Sequence, residues 1–127
     1  MERILVDTDI LIELFRIKER SLSLYVEVFN INTNIPVVSS VTVAELFAGR
    51  SIEDIKEESI LKEFLSNVEI LYPNFEVMKL TGEILRDSKY QISFRDAQIA
   101  AGALYQKLPL LTKNKKDFIK IKGLRLV

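Results

Sequence analysis

Short apolar runs alternate with stretches of helical periodicity along this chain, and that alternation limits the folds open to it. The first run, Ile4–Val6, is unbroken, which is typical of a strand buried on both faces. Strands are predicted at Ile4–Val6, Val37–Ser39, Glu69–Leu71, Leu110–Thr112 and Arg125–Val127. Between strands, Val77, Leu80 and Ile84 show helical spacing after a possible cap, Asn74. Strands that alternate with helices predict an α/β domain with a central, mostly parallel sheet.

The length of the chain and the absence of two residue types narrow its chemistry. With 127 residues and 48% hydrophobic content, a single domain over residues 1–127 is expected. The chain has no cysteine and no histidine, which excludes disulfide frameworks, thiolate zinc sites and Ser-His or Cys-His hydrolases. No apolar run reaches the ~20 residues of a membrane-spanning helix and no signal peptide is recognisable, so we expect a cytoplasmic protein without membrane association.

Basic residues are concentrated towards the C-terminus. The whole chain has 18 basic and 18 acidic side chains, so its net charge favours no class of partner. Residues 107–127, however, contain seven basic residues and a single acid, Asp117. Such a segment is either a phosphate-facing surface or an ordinary solvated edge, and the sequence leaves both possibilities open.

Three acidic residues stand at the predicted ends of strands or the starts of helices. Asp7 follows the first strand, at the sheet edge where open α/β proteins bind ligands. Glu45 follows Thr42 by three residues and Asp96 follows Ser93 by three, so each can simply belong to a capping box. Taken singly, these two acids are as well explained by helix capping as by a functional site.

The apolar neighbours of these acids favour a shared role. The stretches around Glu45 and Asp96 are apolar on most sides, which predicts helices inside the molecule. A buried carboxylate costs several kcal/mol unless a positive charge meets it, and only Arg95 stands close in sequence. Sharing a divalent cation would solve the problem for all three acids. An oxygen-only site suits Mg²⁺ or Mn²⁺ and points to hydrolysis of phosphoryl esters.

The acids and their surroundings resemble the PIN domain, and most closely the VapC-type toxins of prokaryotic toxin–antitoxin pairs. The resemblance rests on Asp7, on Glu45 in "SSVTVAELFAG", on Asp96 in "RDAQIAAGAL" and on "LLTKNKKDF" at 110–118. It covers nearly the whole chain, in order. It implies a three-layer α/β/α sandwich, a Mg²⁺- or Mn²⁺-dependent ribonuclease acting on RNA, a homodimer, and inhibition by a cognate VapB-type antitoxin.

The resemblance also implies roles for individual residues. The metal-binding and catalytic acids are Asp7, Glu45 and Asp96. The fourth position is Asn114, two residues after Thr112, or alternatively Asp117, which would add a fourth catalytic carboxylate. Supporting contacts are expected from Thr8 and Thr112, and RNA contacts from Lys113, Lys115 and Lys116. Asp9, where the family commonly has Asn or Ser, is explained as an ordinary helix N-cap.

The helix that follows the first strand is very apolar for its length. Its residues Ile10, Leu11, Leu14 and Phe15 can simply pack in the core. In the resembled toxins this region borders the groove that takes the antitoxin, which would make it a helix-in-groove contact. Both interpretations stay open.

Two other functions are compatible with parts of the sequence. "DTDIL" resembles the nucleophile loop of haloacid-dehalogenase-type phosphatases, with Asp7 as nucleophile and Asp9 as acid-base. Leu11 stands where that loop has Val or Thr, and the later pair of aspartates is missing. A non-catalytic RNA-binding module is the second alternative, but the retention of all three acids favours catalysis.

Overall fold

The central sheet places its longest strands side by side. This computed structural model describes residues 2–30, 33–49, 55–87 and 89–127. Within those residues four strands form one all-parallel sheet: β1 (Glu2–Val6), β2 (Asn34–Ser39), β3 (Glu69–Leu71) and β4 (Leu110–Leu111). The strand order is β3-β2-β1-β4, so β1 lies inside the sheet between β2 and β4. The predicted parallel sheet is confirmed.

Helices occupy most of the chain between the strands. Their bounds are α1 (Thr8–Arg16), α2 (Leu24–Phe29), α3 (Ser40–Ala48), α4 (Ile55–Ser66), α5 (Phe75–Arg86), α6 (Phe94–Gln106) and α7 (Lys115–Phe118), with a 3₁₀ turn at Arg20–Leu22. The predicted cap of α5 is confirmed, because Oδ1 of Asn74 accepts a hydrogen bond from the backbone N–H of Val77 at 2.9 Å. In the described part of the chain, no helix is long and apolar enough to cross a membrane.

Apolar side chains fill both faces of the sheet. In β1, Leu5 packs on the side of α5 and α6, whereas Ile4 and Val6 pack on the opposite side, with α1 to α4. Val37 and Val38 of β2 divide between the two faces in the same way. This alternation follows from the two-residue period of a strand. The expected three-layer α/β/α sandwich is therefore confirmed.

The predicted fifth strand, Arg125–Val127, is reduced to one bridge. Leu126 forms an isolated parallel bridge with Leu110, and the N–H of Val127 donates to the carbonyl of Leu110 at 2.9 Å. Because β4 is only two residues long, it offers this segment no longer ladder to pair with.

The order of the strands explains where a site can form. The chain passes from β1 to β2 through α1 and α2 on one face, and it reaches β4 through α5 and α6 on the other. The direction of winding therefore changes between β1 and β4. In open α/β sheets, ligands bind at the carboxyl ends of strands at such a switch point. Asp7 and Thr112 directly follow those two strand ends.

Candidate active site

Asp7 is held rigidly at the end of β1. The residue is 1% exposed and is the N-cap of α1, with its Oδ1 accepting from the N–H of Thr8 at 2.7 Å. Its other oxygen, Oδ2, accepts from the hydroxyl of Thr112 at 2.7 Å. The predicted N-cap at Asp9 is wrong, because the helix starts two residues earlier and Asp9 lies in its first turn. The hydrogen bonds fix the direction in which the Asp7 carboxylate points.

Glu45 serves no capping box. Helix α3 begins at Ser40, with Ser39 as its N-cap residue, so Glu45 lies in the second turn, beyond reach of the free N–H groups. Its Oε1 accepts from the hydroxyl of Thr8 at 2.6 Å, and that hydroxyl lies 2.9 Å from Oγ1 of Thr42. The expected capping role is therefore wrong, and Glu45 is tied instead to the start of α1.

Helix α3 is also less buried than its composition suggests. Its buried residues are Thr42 and Leu46, while Ala44, Phe47 and Ala48 are exposed. The expectation of an interior helix is wrong here, because only one side of α3 meets the core. Glu45 sits at the border, with its side chain 34% exposed.

Asp96 lies in the first turn of a helix that is truly interior. Ser93 caps α6 by accepting from the N–H of Asp96 at 3.1 Å, so the predicted helix start is confirmed. Ala97, Ile99 and Ala100 are fully buried, and Asp96 is itself 9% exposed. A carboxylate in this position needs a compensating charge.

Arg95 supplies that charge to all three acids. Its Nη2 donates to Oδ1 of Asp7 at 2.5 Å and its Nε donates to Oε2 of Glu45 at 2.7 Å. Its Nη1 donates to Oδ1 of the adjacent Asp96. The expectation that the acids lack a counter-charge is therefore wrong. The structure brings the three predicted acids together, and sequence reasoning missed only that the neighbouring arginine turns inward among them.

The surroundings of Arg95 and of Asp9 shift the pKa values of these two residues. Burial alone would lower the pKa of Arg95, but its hydrogen bond to Glu45 and its contacts with Asp7 and Asp96 outweigh that effect and raise the pKa above the ordinary value. Arg95 is therefore charged at any physiological pH. For Asp9, burial and then the nearby charge of Asp7 raise the pKa.

Asp9 is only partly satisfied by hydrogen bonds. Its Oδ2 accepts from the N–H of Lys113 at 3.1 Å, which connects α1 to the segment after β4. Its Oδ1 is buried, and within the described residues it finds no hydrogen-bond partner. Burial of a carboxylate oxygen without a hydrogen-bond donor favours the protonated form of the group, which agrees with the raised pKa of Asp9.

Asn114 and Asp117 form a pair beside the three acids. The N–H of Asn114 donates to Oγ1 of Thr112 at 2.9 Å, and its Nδ2 donates to Oδ2 of Asp117 at 2.7 Å. A chain of contacts therefore runs from Asp7 through Thr112 and Asn114 to Asp117. Both candidates for the fourth position are thus connected to the site through hydrogen bonds rather than placed among the three acids.

The lysines expected to contact RNA differ in their surroundings. The ammonium group of Lys113 forms an ion pair with Oε2 of Glu13 in α1, so Lys113 already has a partner. Lys115 and Lys116 are exposed on α7, the short helix that follows Asn114. These two lysines adjoin the Asn114–Asp117 pair.

The apolar side of α1 belongs mainly to the core. Ile10, Leu11 and Leu14 are buried and pack against β1, β2 and the neighbouring helices. Phe15 is half-buried and meets Phe64 of α4 edge to face, with ring centroids 5.4 Å apart. Core packing therefore explains the first three of these side chains, which are not open to a partner.

The set of donors fits a hard divalent cation. The three carboxylates come from three separate elements and already surround one positive group. Within the described residues, no cluster of three acids is arranged to hold a metal ion directly. The three carboxylates are instead each paired with the Arg95 guanidinium. Oxygen donors of this kind suit Mg²⁺ or Mn²⁺.

Comparison with known proteins identifies the family. A model of the PIN domain matches residues 4–124. The chain is a PIN-domain protein. It is 34% identical over 129 residues to ribonuclease VapC1 of Methanocaldococcus jannaschii, covering 98% of this chain and 86% of that protein. It is 30% identical over 130 residues to the tRNA(fMet)-specific endonuclease VapC of Shigella flexneri, covering 98% of this chain and 96% of that protein. The chain therefore belongs to the VapC group of PIN-domain proteins.

A solved structure supports the same assignment. A chain of a toxin–antitoxin complex from Klebsiella pneumoniae matches this PIN-domain protein with a TM-score of 0.77 and 26% identity, covering 95% of this chain and 94% of that one. The predicted resemblance to VapC-type PIN domains is confirmed. The phosphatase alternative, with Asp7 as nucleophile, is not supported by any of these matches.

Proposed function

We propose that this PIN-domain protein is a metal-dependent endoribonuclease and the toxin of a toxin–antitoxin pair. The observation that carries the proposal is the convergence of three acids on one positive group: Asp7 after β1, Glu45 in α3 and Asp96 in α6. Similar VapC proteins are named as ribonucleases or endonucleases. Three carboxylates at the carboxyl end of a parallel sheet are suited to hydrolysis of phosphodiester bonds with a divalent ion.

Asp7, Glu45 and Asp96 are the residues that hold Mg²⁺ or Mn²⁺ in this proposal. The chemistry that such an ion supplies when bound is activation of a water molecule and stabilisation of the leaving oxygen. The protein's own contribution is to keep the carboxylates oriented. The hydroxyl of Thr112 binds Oδ2 of Asp7 and that of Thr8 binds Oε1 of Glu45, while the other oxygen of each carboxylate accepts from Arg95.

The fourth position belongs to the Asn114–Asp117 pair. Because Nδ2 of Asn114 donates to Asp117, its Oδ1 is the atom left to act as a ligand. Asp117 adds negative charge near the site and orients that amide. If Asn114 is the ligand, Asn114→Ala reduces metal affinity more than Asp117→Asn. If Asp117 is the ligand, Asp117→Asn reduces metal affinity more than Asn114→Ala. Isothermal titration with Mn²⁺ measures the metal affinity of both variants.

Titration of Mn²⁺ into the metal-free protein, combined with an RNA cleavage assay, tests the proposed function. We expect Asp7→Asn and Asp96→Asn to lose both metal binding and cleavage while circular dichroism shows an unchanged fold. The matched control is Asp87→Asn, because Asp87 also accepts a backbone N–H but lies after α5. Full activity in either site variant, or cleavage that persists without divalent ions, would contradict the proposal.

The proposal includes partners that follow from the toxin assignment. An antitoxin of the VapB type is expected to bind and inhibit the protein, as a VapB–VapC assembly, and action on cellular RNA places the protein in the cytoplasm. The homodimer implied by the family resemblance is also part of the proposal. Tyr72 and Phe75, which flank Pro73-Asn74, are each 76% exposed and are the residues tested at its interface. Light scattering of wild type and Tyr72→Ser/Phe75→Ser measures whether the dimer forms and whether these two side chains hold it.

A further inference from the structure

Arg95 occupies the place in which the three acids would share a cation. It uses a different nitrogen for each acid: Nη2 for Asp7, Nε for Glu45 and Nη1 for Asp96. All three acceptor oxygens point to the same guanidinium. One positive charge therefore faces three negative ones, so the cluster retains an excess of negative charge even with Arg95 in place.

The contacts of Asp7 show that Thr112 and Arg95 bind different oxygens of its carboxylate. Oδ2 of Asp7 is bound by Thr112, and Oδ1 accepts from the Thr8 N–H and from Arg95. Glu45 shows the same division, with Thr8 on Oε1 and Arg95 on Oε2. In each of these two carboxylates, one oxygen accepts a hydrogen bond from a threonine hydroxyl and the other accepts one from Arg95.

A guanidinium and a metal ion placed between these three acids would compete for the same carboxylate oxygens. Mg²⁺ requires oxygen ligands at about 2.0–2.1 Å in a compact octahedron. The guanidinium is planar, and its nitrogens stand 2.5 and 2.7 Å from the oxygens of Asp7 and Glu45, so the carboxylates are arranged around a group of different shape. An octahedral ion at the same point therefore requires Arg95 to move away.

The Arg95 side chain can move out of the site towards solvent. Its side chain is 28% exposed, whereas that of Asp7 is 2% exposed and that of Asp96 is 13% exposed. The Arg95 side chain is thus more open to solvent than those of these two acids. Its long, flexible stem starts at the second residue of α6, so the head group can rotate outward without movement of the helix.

We propose that Arg95 is a built-in competitor for the metal site, which compensates the three acids in the metal-free protein and is displaced when the ion enters. This inference rests on the proposed metal site. Arg95 then has two consequences that can be measured: it stabilises the metal-free fold, and it weakens apparent metal affinity. Suppose that the Arg95 side chain lies outside the site in about a tenth of the metal-free molecules. Removing Arg95 then strengthens the apparent affinity for the metal ion by about tenfold.

Arg95→Met tests the proposal, because methionine keeps an unbranched apolar stem and removes the charge. The matched control is Arg3→Met, since Arg3 also pairs with an acid, Glu69, but does so at the opposite, amino end of the strands. We expect the metal-free melting temperature of Arg95→Met to fall below that of Arg3→Met. We also expect its Kd for Mn²⁺, measured by isothermal titration, to fall about tenfold or more while that of Arg3→Met stays at the wild-type value.

The outcomes separate this proposal from the proposed function. Equal or weaker Mn²⁺ binding by Arg95→Met, with normal binding by wild type, overturns the competition and leaves the metal site intact. Absence of binding in both proteins overturns the metal site and the competition together.

A measurement on wild type covers the case in which Arg95→Met does not fold. The Nε–H of Arg95, bonded to Glu45, is expected to give a protected signal in ¹⁵N NMR of the metal-free protein, and this signal should be lost or shifted on saturation with Mg²⁺. A signal that stays unchanged at saturation overturns the proposal.

Discussion

The hydroxyl of Thr112 donates a hydrogen bond to Oδ2 of Asp7 at 2.7 Å, just beyond the carboxyl ends of β4 and β1. The same hydroxyl oxygen accepts from the N–H of Asn114 at 2.9 Å. Thr112 is 1% exposed, so neither contact can be replaced by bulk water. This one hydroxyl therefore connects the site of the three acids to the segment that carries the fourth candidate ligand.

Thr112→Val should lower both stability and cleavage. The change keeps the shape of the side chain but leaves the buried Oδ2 of Asp7 and the partly buried N–H of Asn114 without their partner. The loss costs about 1–3 kcal/mol of the free energy of unfolding. Because Thr112 orients a proposed metal ligand, cleavage should fall by about 10–100-fold. Urea denaturation and RNA cleavage at saturating Mg²⁺ measure the two effects.

Two further variants separate the roles of Thr112. Thr112→Ser keeps the hydroxyl and should restore most of the activity. Thr81 is also 1% exposed, and its hydroxyl donates to the carbonyl of Val77 inside α5. Thr81→Val should therefore reduce stability without a specific loss of cleavage. Equal losses of activity in Thr81→Val and Thr112→Val would show that Thr112 acts through stability alone.

Glu45→Gln should abolish most cleavage and leave α3 intact. Glutamine can still accept the hydrogen bond from Thr8, but it lacks the charge that attracts Arg95 or a metal ion. Since Glu45 is a direct ligand in the proposal, its loss should cost more than the ~10–100-fold caused by changes in outer contacts. Circular dichroism, Mn²⁺ titration and cleavage assays are the measurements. Glu83→Gln, which removes one half of an exposed pair with Lys79, is the control. An active Glu45→Gln enzyme would refute the role of Glu45 as a ligand.

Asp9→Asn should stabilise the metal-free protein at neutral pH. Burial and the charge of Asp7 raise the pKa of Asp9 above its ordinary value of 3.8, so the folded state binds this proton more tightly than the unfolded state. Ionised Asp9 therefore destabilises the fold at pH 7, and the penalty disappears as the pH falls through the raised pKa. Asparagine removes that charge and can still accept from the N–H of Lys113.

The pH dependence is the decisive part of the Asp9 prediction. Melting temperatures in EDTA should show Asp9→Asn above wild type at pH 7, with the two curves converging as the pH approaches 4. Asp87→Asn, whose carboxylate also accepts a backbone N–H two residues further on, should follow wild type throughout. A difference that is constant with pH would mean that the charge of Asp9 is not its cause.

Much of the fold could be predicted because its signals are local. The apolar run Ile4–Val6 needs a sheet covered on both faces, and the caps Asn74 and Ser93 mark the starts of α5 and α6 by contacts within three residues. The fifth strand was overpredicted because its length depends on β4, which lies elsewhere in the chain.

The site could be predicted only in part, because its contacts join distant residues. Thr42 and Glu45 have the spacing of a capping box, yet α3 starts at Ser40 and Glu45 turns to Thr8, 37 positions away. Arg95 reaches Glu45 over 50 positions and Asp7 over 88, and no local pattern specifies where a long side chain points. Its position next to Asp96 was the one available signal.

The last prediction concerns the basic residues around α7. Lys115 and Lys116 are exposed and adjoin Asn114, whose contacts lead to Asp7, while Lys113 is engaged with Glu13. A site with several carboxylates repels a polyanion, and cations at its edge offset that repulsion. Lysine contacts phosphates as a point charge and reads no base, so Lys115→Ala/Lys116→Ala should weaken RNA binding equally for different sequences.

The salt dependence of binding distinguishes this role from an ordinary solvated surface. Each lost phosphate contact should flatten the plot of log affinity against log salt by roughly 0.7 for single-stranded RNA. Lys120→Ala/Lys122→Ala is the matched control, because both lysines are exposed on the segment beyond α7 and the net charge change is the same. Fluorescence anisotropy with a labelled RNA, repeated across a salt series, gives both slopes. Since non-specific attraction depends on total charge, it should affect both double variants alike, whereas phosphate contacts at the site flatten the slope only for Lys115→Ala/Lys116→Ala. Identical slopes for the two variants would show that α7 is not part of the RNA-binding surface.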